Sequence, residues 1–193
     1  VSDIGEIYVT DLFATFKYVT KWENLKEKAI NPYDFYANSS QYYFPKNINE
    51  INGYPFIENS NYEMLEYTPE YPFYSNYTVK KRMVFVPNGK EIDLDKNIFP
   101  EKTVIQKDFY QNTDNKLIER RFMIYDDERW NYASYTFNDK FLEINLSPSN
   151  QIVYDSLYGK FDYYVPGLNN CYDCHKNDSN ETLGFRKENL VYD

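Results

Sequence analysis

Cysteine and histidine are almost absent from this chain of 193 residues, which holds two cysteines, Cys171 and Cys174, and one histidine, His175. A disulfide framework is therefore excluded as the organising device. Six glycines, none of them in a phosphate-cradling run, leave no nucleotide-binding loop. Basic residues are outnumbered, 21 Lys+Arg against 30 Asp+Glu for a net charge of -9, so nucleic acid and anionic membranes are not expected partners. No apolar run approaches the roughly 18 residues of a membrane-spanning helix, so none is expected. The chain starts at Val1 with no basic-then-apolar leader. That start fits a mature, exported protein whose signal peptide has been removed, and equally a chain trimmed at its N-terminus.

What the sequence has in excess is aromatic side chains, with 22 Tyr and 14 Phe. Such a chain has ample surface to bury and pairs well across strands. Between residues 80 and 165 the pattern alternates in the manner of strands. Arg82, Val84 and Val86 fall on one side of a run whose other side carries Met83 and Phe85. Runs at 103–110 and 117–125 are separated by a turn-forming Asn-rich stretch, and runs at 130–137 and 141–146 form a further hairpin across Asn138-Asp139-Lys140. The fold class expected is mainly β, an antiparallel sheet with a few short helices and long irregular aromatic-rich segments, ending in a haem-binding segment. Residues 11–28 show apolar spacing and a capping Thr or Asp, which predicts a helix, and a short helix is expected over 171–176. Residues 31–75 are rich in Asn, Pro, Ser and Tyr and read as an ordered, irregular wrap. The chain is read as a single domain, 1–193. Its irregular and helical part, 1–75, packs on the 80–165 sheet, and 166–193 forms the attachment segment.

The rare residues are not scattered. They stand together as Cys171-Tyr172-Asp173-Cys174-His175. Cys-x-x-Cys-His is the attachment signature of c-type haem. Both thiols add to the vinyl groups of one porphyrin, and the neighbouring imidazole becomes the proximal iron ligand. The competing readings are weaker. A thioredoxin-type dithiol needs a βαβ setting, which Pro166-Gly167-Leu168-Asn169-Asn170 does not supply. A zinc site needs four ligands, where these residues supply three. A disulfide between Cys171 and Cys174 closes a short, strained ring.

With His175 committed, the distal position falls to Met64, Met83 or Met123, to another donor such as Lys or Tyr, to a small ligand, or to nothing. Met/His ligation suits electron transfer, and an open site suits ligand binding or catalysis. Met83 and Met123 lie in expected strands, where filling the core is the commoner role. Lys80, Arg82, Lys107 and Arg121 are candidate pocket contacts for the haem. Five N-x-S/T sequons, at Asn38, Asn76, Asn145, Asn177 and Asn180, are usable only outside the cytoplasm.

The order of several segments resembles an uncharacterised bacterial family of monohaem c-type domains, often found beside or fused to quinoprotein sugar dehydrogenase modules. Ser2-Asp3-Ile4-Gly5 is similar to its opening segment. The stretch 71–78 with Lys80 and Arg82 is similar to a Leu-Phe-Ser-Asp-x-Ala-x-Lys-x-Arg element, and Phe99-Pro100 through Thr103 with Lys107-Asp108-Phe109 to a Phe-Pro-x-Gly-Thr strand. Ile118-Glu119-Arg120-Arg121, the hairpin from Trp130 to Asn138, and the run from Val165 to Gly184 complete the likeness. Asn76, Lys102, Arg120 and Phe137 stand where that pattern has Asp, Gly, Thr and Trp. More distantly, the Phe-Pro-x-x-Thr strand before a late CxxCH resembles cytochrome P460 and β-type cytochrome c′. In that group a lysine can be cross-linked to the haem and the distal site is open, which implies that Lys102 or Lys107 approaches the ring.

The resemblance and the motif together imply one covalent haem c and a periplasmic or extracellular protein that carries electrons rather than catalysing a reaction. Its acidic surface steers basic redox partners, and its aromatic surface offers a route to self-association into an oligomer or filament. The alternatives are a haem enzyme or gas-binding protein of the P460/c′ type with an open iron site, and a structural or sugar-binding accessory domain in which the haem is secondary.

Overall fold

The computed structural model describes residues 6–10, 15–19, 44–71, 73–137, 142–146, 148–175, 182 and 184–190. The chain falls into two compact units, 1–43 and 44–193. In the first, β1 (Glu6–Thr10) pairs antiparallel with β2 (Thr15–Val19), from Glu6 opposite Val19 to Thr10 opposite Thr15. The helix expected over 11–28 is thus replaced by a strand at 15–19, and the remainder of that span lies outside the described residues. The sequence Thr-Phe-Lys-Tyr-Val explains the difference. β-Branched and aromatic side chains lose rotamer freedom against the preceding turn of a helix and lose little on a pleated strand.

The second unit is built on a six-stranded antiparallel meander in which each strand pairs with the next in sequence. The strands are β3 (Tyr62–Glu66), β4 (Val79–Pro87), β5 (Val104–Tyr110), β6 (Leu117–Asp126), β7 (Arg129–Phe137) and β8 (Leu142–Ile144). The mainly antiparallel β architecture expected from the sequence is the architecture found. β3 extends it into the stretch read as irregular.

Residues directly opposite each other in antiparallel strands share a face, so the register sorts the side chains. One face carries Met83, Phe85, Phe122 and Tyr135. Phe44 and Phe56 close it: Phe56 lies 5.7 Å from Phe85 and 5.8 Å from Phe122, and Phe44 lies 6.5 Å from Phe122 between ring centres. The other face carries Val84, Ile105, Met123 and Tyr132, covered by Tyr67, Phe99, Phe185 and Cys171.

Downstream, β9 (Ser149–Asp155) and β10 (Gly159–Val165) form a separate two-stranded hairpin rather than a continuation of the sheet. Gly159 sits at φ +73°, a conformation that its missing Cβ allows at the turn. Val153, Tyr163 and Val165 bury one face of the hairpin against Phe109 and Ile118. The chain then turns through Pro166 and Gly167 into α1 (Leu168–His175), close to the short helix expected there.

Candidate functional site

The eight residues of α1 contain both cysteines and the histidine. Ser134 on β7 donates to the Pro166 carbonyl at 2.8 Å, which fixes the entry of the helix against the sheet. At the other end the His175 ring stacks on Tyr132, 4.6 Å between centres, and the Tyr132 hydroxyl donates to the His175 carbonyl at 3.4 Å. Between these anchors Cys171 turns inward and is buried in the Met123 and Tyr132 cluster, its thiol held against the Gly167 carbonyl. Burial pushes that thiol up to about 12. Cys174 is exposed, and neither cysteine is in a disulfide.

Cys174 and His175 line a cleft of about 310 Å³, near the lower end of the range for small-molecule sites. Lys80, Arg82, Lys107 and Arg121 line it too, so all four pocket contacts expected from the sequence share it with two of the three motif residues. The register explains their convergence. Arg82 stands directly opposite Lys107, and Lys107 directly opposite Arg121, a row of three cations across three adjacent strands. Like charges directly opposed on neighbouring strands repel, so such a row calls for negative charge from elsewhere.

Only part of that need is met internally. Glu119 is fully buried and binds Arg121 through both oxygens, at 2.6 and 2.8 Å, while the Tyr163 hydroxyl donates to the same carboxylate at 2.7 Å. Burial opposes the charge on Arg121, but Glu119 outweighs it and holds the guanidinium protonated. The Lys80 ammonium donates to the carbonyls of Phe73 and Tyr74. Burial, and then Arg82 and Arg121, lower it to about 8. Lys107 is lowered further, to about 7, by burial first and then by Arg121, Arg82 and Lys80.

That depression has a measurable consequence. The unfolded chain keeps the Lys107 proton up to about pH 10.4, while the folded haem-free protein releases it near 7. Between those values the unfolded state binds more protons, so stability rises with pH, and below pH 7 the full penalty of the enclosed charge remains. Wild type is therefore expected to gain stability over Lys107→Met as pH is raised from 7 to about 9.5, read as urea midpoints in matched buffers. Parallel curves would contradict this account of the row.

The methionines stand elsewhere. Met83 and Met64 point to the opposite face of the sheet, since Met64 is paired with Phe85. Met123 faces the α1 side but is buried in the cluster beneath Cys171, and none of the three lines the cleft. Lys102 also lies away from the cleft, paired with Asp126, whereas Lys107 is part of its wall. Sequence reasoning missed Tyr67, Tyr163 and Tyr164, which also line the cleft, and reached Phe73 and Tyr74 only within the 71–78 stretch. In a chain with 22 tyrosines, none of these carried a distinguishing signal. Of the sequons, Asn38, Asn177 and Asn180 lie outside the described residues.

Among the described residues no group of three His, Cys, Asp or Glu side chains gathers closely enough to hold a metal ion. A c-type haem makes a different demand: two thiols, one imidazole and a polar surround for its carboxylates. Cys174, His175 and the cation row meet part of that demand by lining the cleft, whereas Cys171, one helical turn away, is buried in the core cluster and does not line it. No protein-family model, no curated protein and no solved structure matches this chain.

Proposed function

We propose that this protein is a monohaem c-type cytochrome of the periplasm or extracellular space that transfers electrons. The observation that carries the reading is that Cys174 and His175, from an intact Cys-x-x-Cys-His, line one cleft with a cross-strand row of three cations. When bound, the haem supplies one-electron redox chemistry. The residues of the chain supply the rest. Cys171 and Cys174 would hold the porphyrin through thioethers, and His175, its ring steadied by Tyr132, would supply the imidazole for the iron. Arg82, Lys107, Arg121 and Lys80 line the cleft and would offer positive charge to the porphyrin carboxylates, which would favour the reduced iron. Phe73 and Tyr74, 59% and 75% exposed, put the cleft mouth at the surface, where a redox partner can approach. The net charge of -9 favours a basic partner, at rates that fall with salt.

A second reading, a haem protein with an open iron site of the P460/c′ type, is favoured by one observation, the absence of all three methionines from the cleft lining. The visible spectrum separates the two readings. A low-spin ferric form with a sulfur-to-iron band supports electron transfer through Met ligation, and a high-spin form supports the open site.

The test of both is covalent attachment. Produced in cells that mature c-type cytochromes, the protein is expected to gain the mass of one haem. Cys171→Ala/Cys174→Ala is expected to gain none, and His175→Ala is expected to lose its proximal ligation. An unchanged wild-type mass in a strain that loads a control cytochrome would end the proposal.

A further inference from the structure

The four cations of the cleft are not equivalent. Arg121 is neutralised by Glu119, and Lys80 is held by two backbone carbonyls. Arg82 and Lys107 have neither: among the described residues their side chains make no ion pair and no hydrogen bond, although Arg82 is 8% exposed. Beside Arg82, and tied to it by a 3.0 Å bond from its own backbone N–H to the Arg82 carbonyl, stands Tyr67. Its ring is packed 4.7 Å from Phe185, and it is also 8% exposed. Its hydroxyl is the single buried polar side-chain atom without a partner among the described residues. Buried hydroxyls nearly always have a partner, because one left without pays its desolvation uncompensated. The orphan therefore asks for an explanation, and the neighbouring cations ask for the same one.

We propose that Tyr67, Arg82 and Lys107 form an oxyanion subsite in this cleft. With Lys107 protonated, each of the three presents donors and two of them present no acceptor at all, so the occupant must bring lone pairs on more than one atom. A planar guanidinium beside a point-charge ammonium and a hydroxyl suits a carboxylate or another small oxyanion better than a monatomic ion. Two sources share that chemistry. One is a carboxylate of the porphyrin, which rests on the haem reading. The other is a small free oxyanion, which does not.

Acetate and sulfate, titrated into the full chain before and after haem loading with mass recording the loading, test the subsite and separate the sources. The haem-free chain is expected to bind acetate saturably. Arg82→Gln and Lys107→Gln are each expected to weaken binding at least about tenfold, and Tyr67→Phe about threefold, as the loss of charged and neutral hydrogen bonds dictates. Lys81→Gln is the control. Lys81 pairs with Asp108 on the opposite face and is expected to change nothing. If the loaded chain no longer binds acetate, the porphyrin carboxylate fills the subsite; if it still binds, a free oxyanion does. No saturation, or saturation indifferent to Arg82→Gln and Lys107→Gln, overturns the subsite. Failure to load haem overturns the haem reading alone and leaves the haem-free titration to judge the subsite. Should the haem-free chain lose its fold, the loaded one decides. There Arg82→Gln and Lys107→Gln must lower the haem potential or the acetate affinity relative to Lys81→Gln, and neither change overturns the subsite.

Discussion

Glu119→Ala is expected to lower the stability of the 44–193 unit by about 3 kcal/mol, the lower end of the range for breaking a buried pair from one side. The carboxylate is fully buried and accepts from three donors: Nε and Nη2 of Arg121 and the Tyr163 hydroxyl. Removing it strands a guanidinium in the sheet and leaves the Tyr163 hydroxyl, also enclosed, without its acceptor. The lower end applies because the Arg121 side chain is 33% exposed and recovers some hydration. Two effects identify the mechanism. Tyr163 ties β10 to the sheet, so amide exchange in β9 and β10 should accelerate before the meander opens. The freed Arg121 charge joins Arg82 and Lys107, so acetate should bind the variant more tightly, not less. Urea unfolding gives the magnitude, and a loss below 1 kcal/mol would mean that the pair is a passive feature of the surface.

The same cluster shows how far the sequence could be read. The motif was legible because its chemistry needs no tertiary context: rare residue types at one spacing announce themselves. The meander was legible because β4 to β7 are runs rich in β-branched and aromatic residues bounded by turn-forming segments. Strand alternation also predicts that Arg82 shares a face with Val84, and it is pairing that brings Lys107 and Arg121 beside it. Had the register been written out, three opposed cations would have marked an anion site from sequence alone. Two features resisted. β3 lies at the sheet edge, and Glu63, Met64, Leu65 and Glu66 are all exposed, so no burial pattern disciplines their sequence. Tyr67 acquires its meaning only from Arg82, brought beside it by the pairing of β3 with β4, and from Phe185, which the C-terminal segment packs against its ring.

The sheet has two faces with different tasks, and Phe122→Ala separates them. Phe122 is 1% exposed and sits at the centre of an aromatic cluster, 6.0 Å from Tyr54, 5.8 Å from Phe56 and 5.9 Å from Tyr135. These neighbours are rings held edge-on by one another and by anchored hydroxyls: Tyr135 donates to the Pro45 carbonyl at 2.8 Å, and Tyr54 accepts from Arg120 at 2.5 Å. Arg120 is itself locked to Asp108, so the cluster cannot collapse into the space left by the ring. The cost is therefore expected at about 4 kcal/mol, within the range for Phe→Ala in well-packed cores. Leu65→Ala at the exposed edge should stay within about 0.5 kcal/mol. Alternation sends Arg121 and Met123, on either side of Phe122, to the cleft face. The folded fraction of Phe122→Ala should consequently bind acetate, and retain haem where loaded, as wild type does. Loss of acetate binding in step with stability would show that the two faces are mechanically coupled through β6, and that the cleft depends on the aromatic layer behind it.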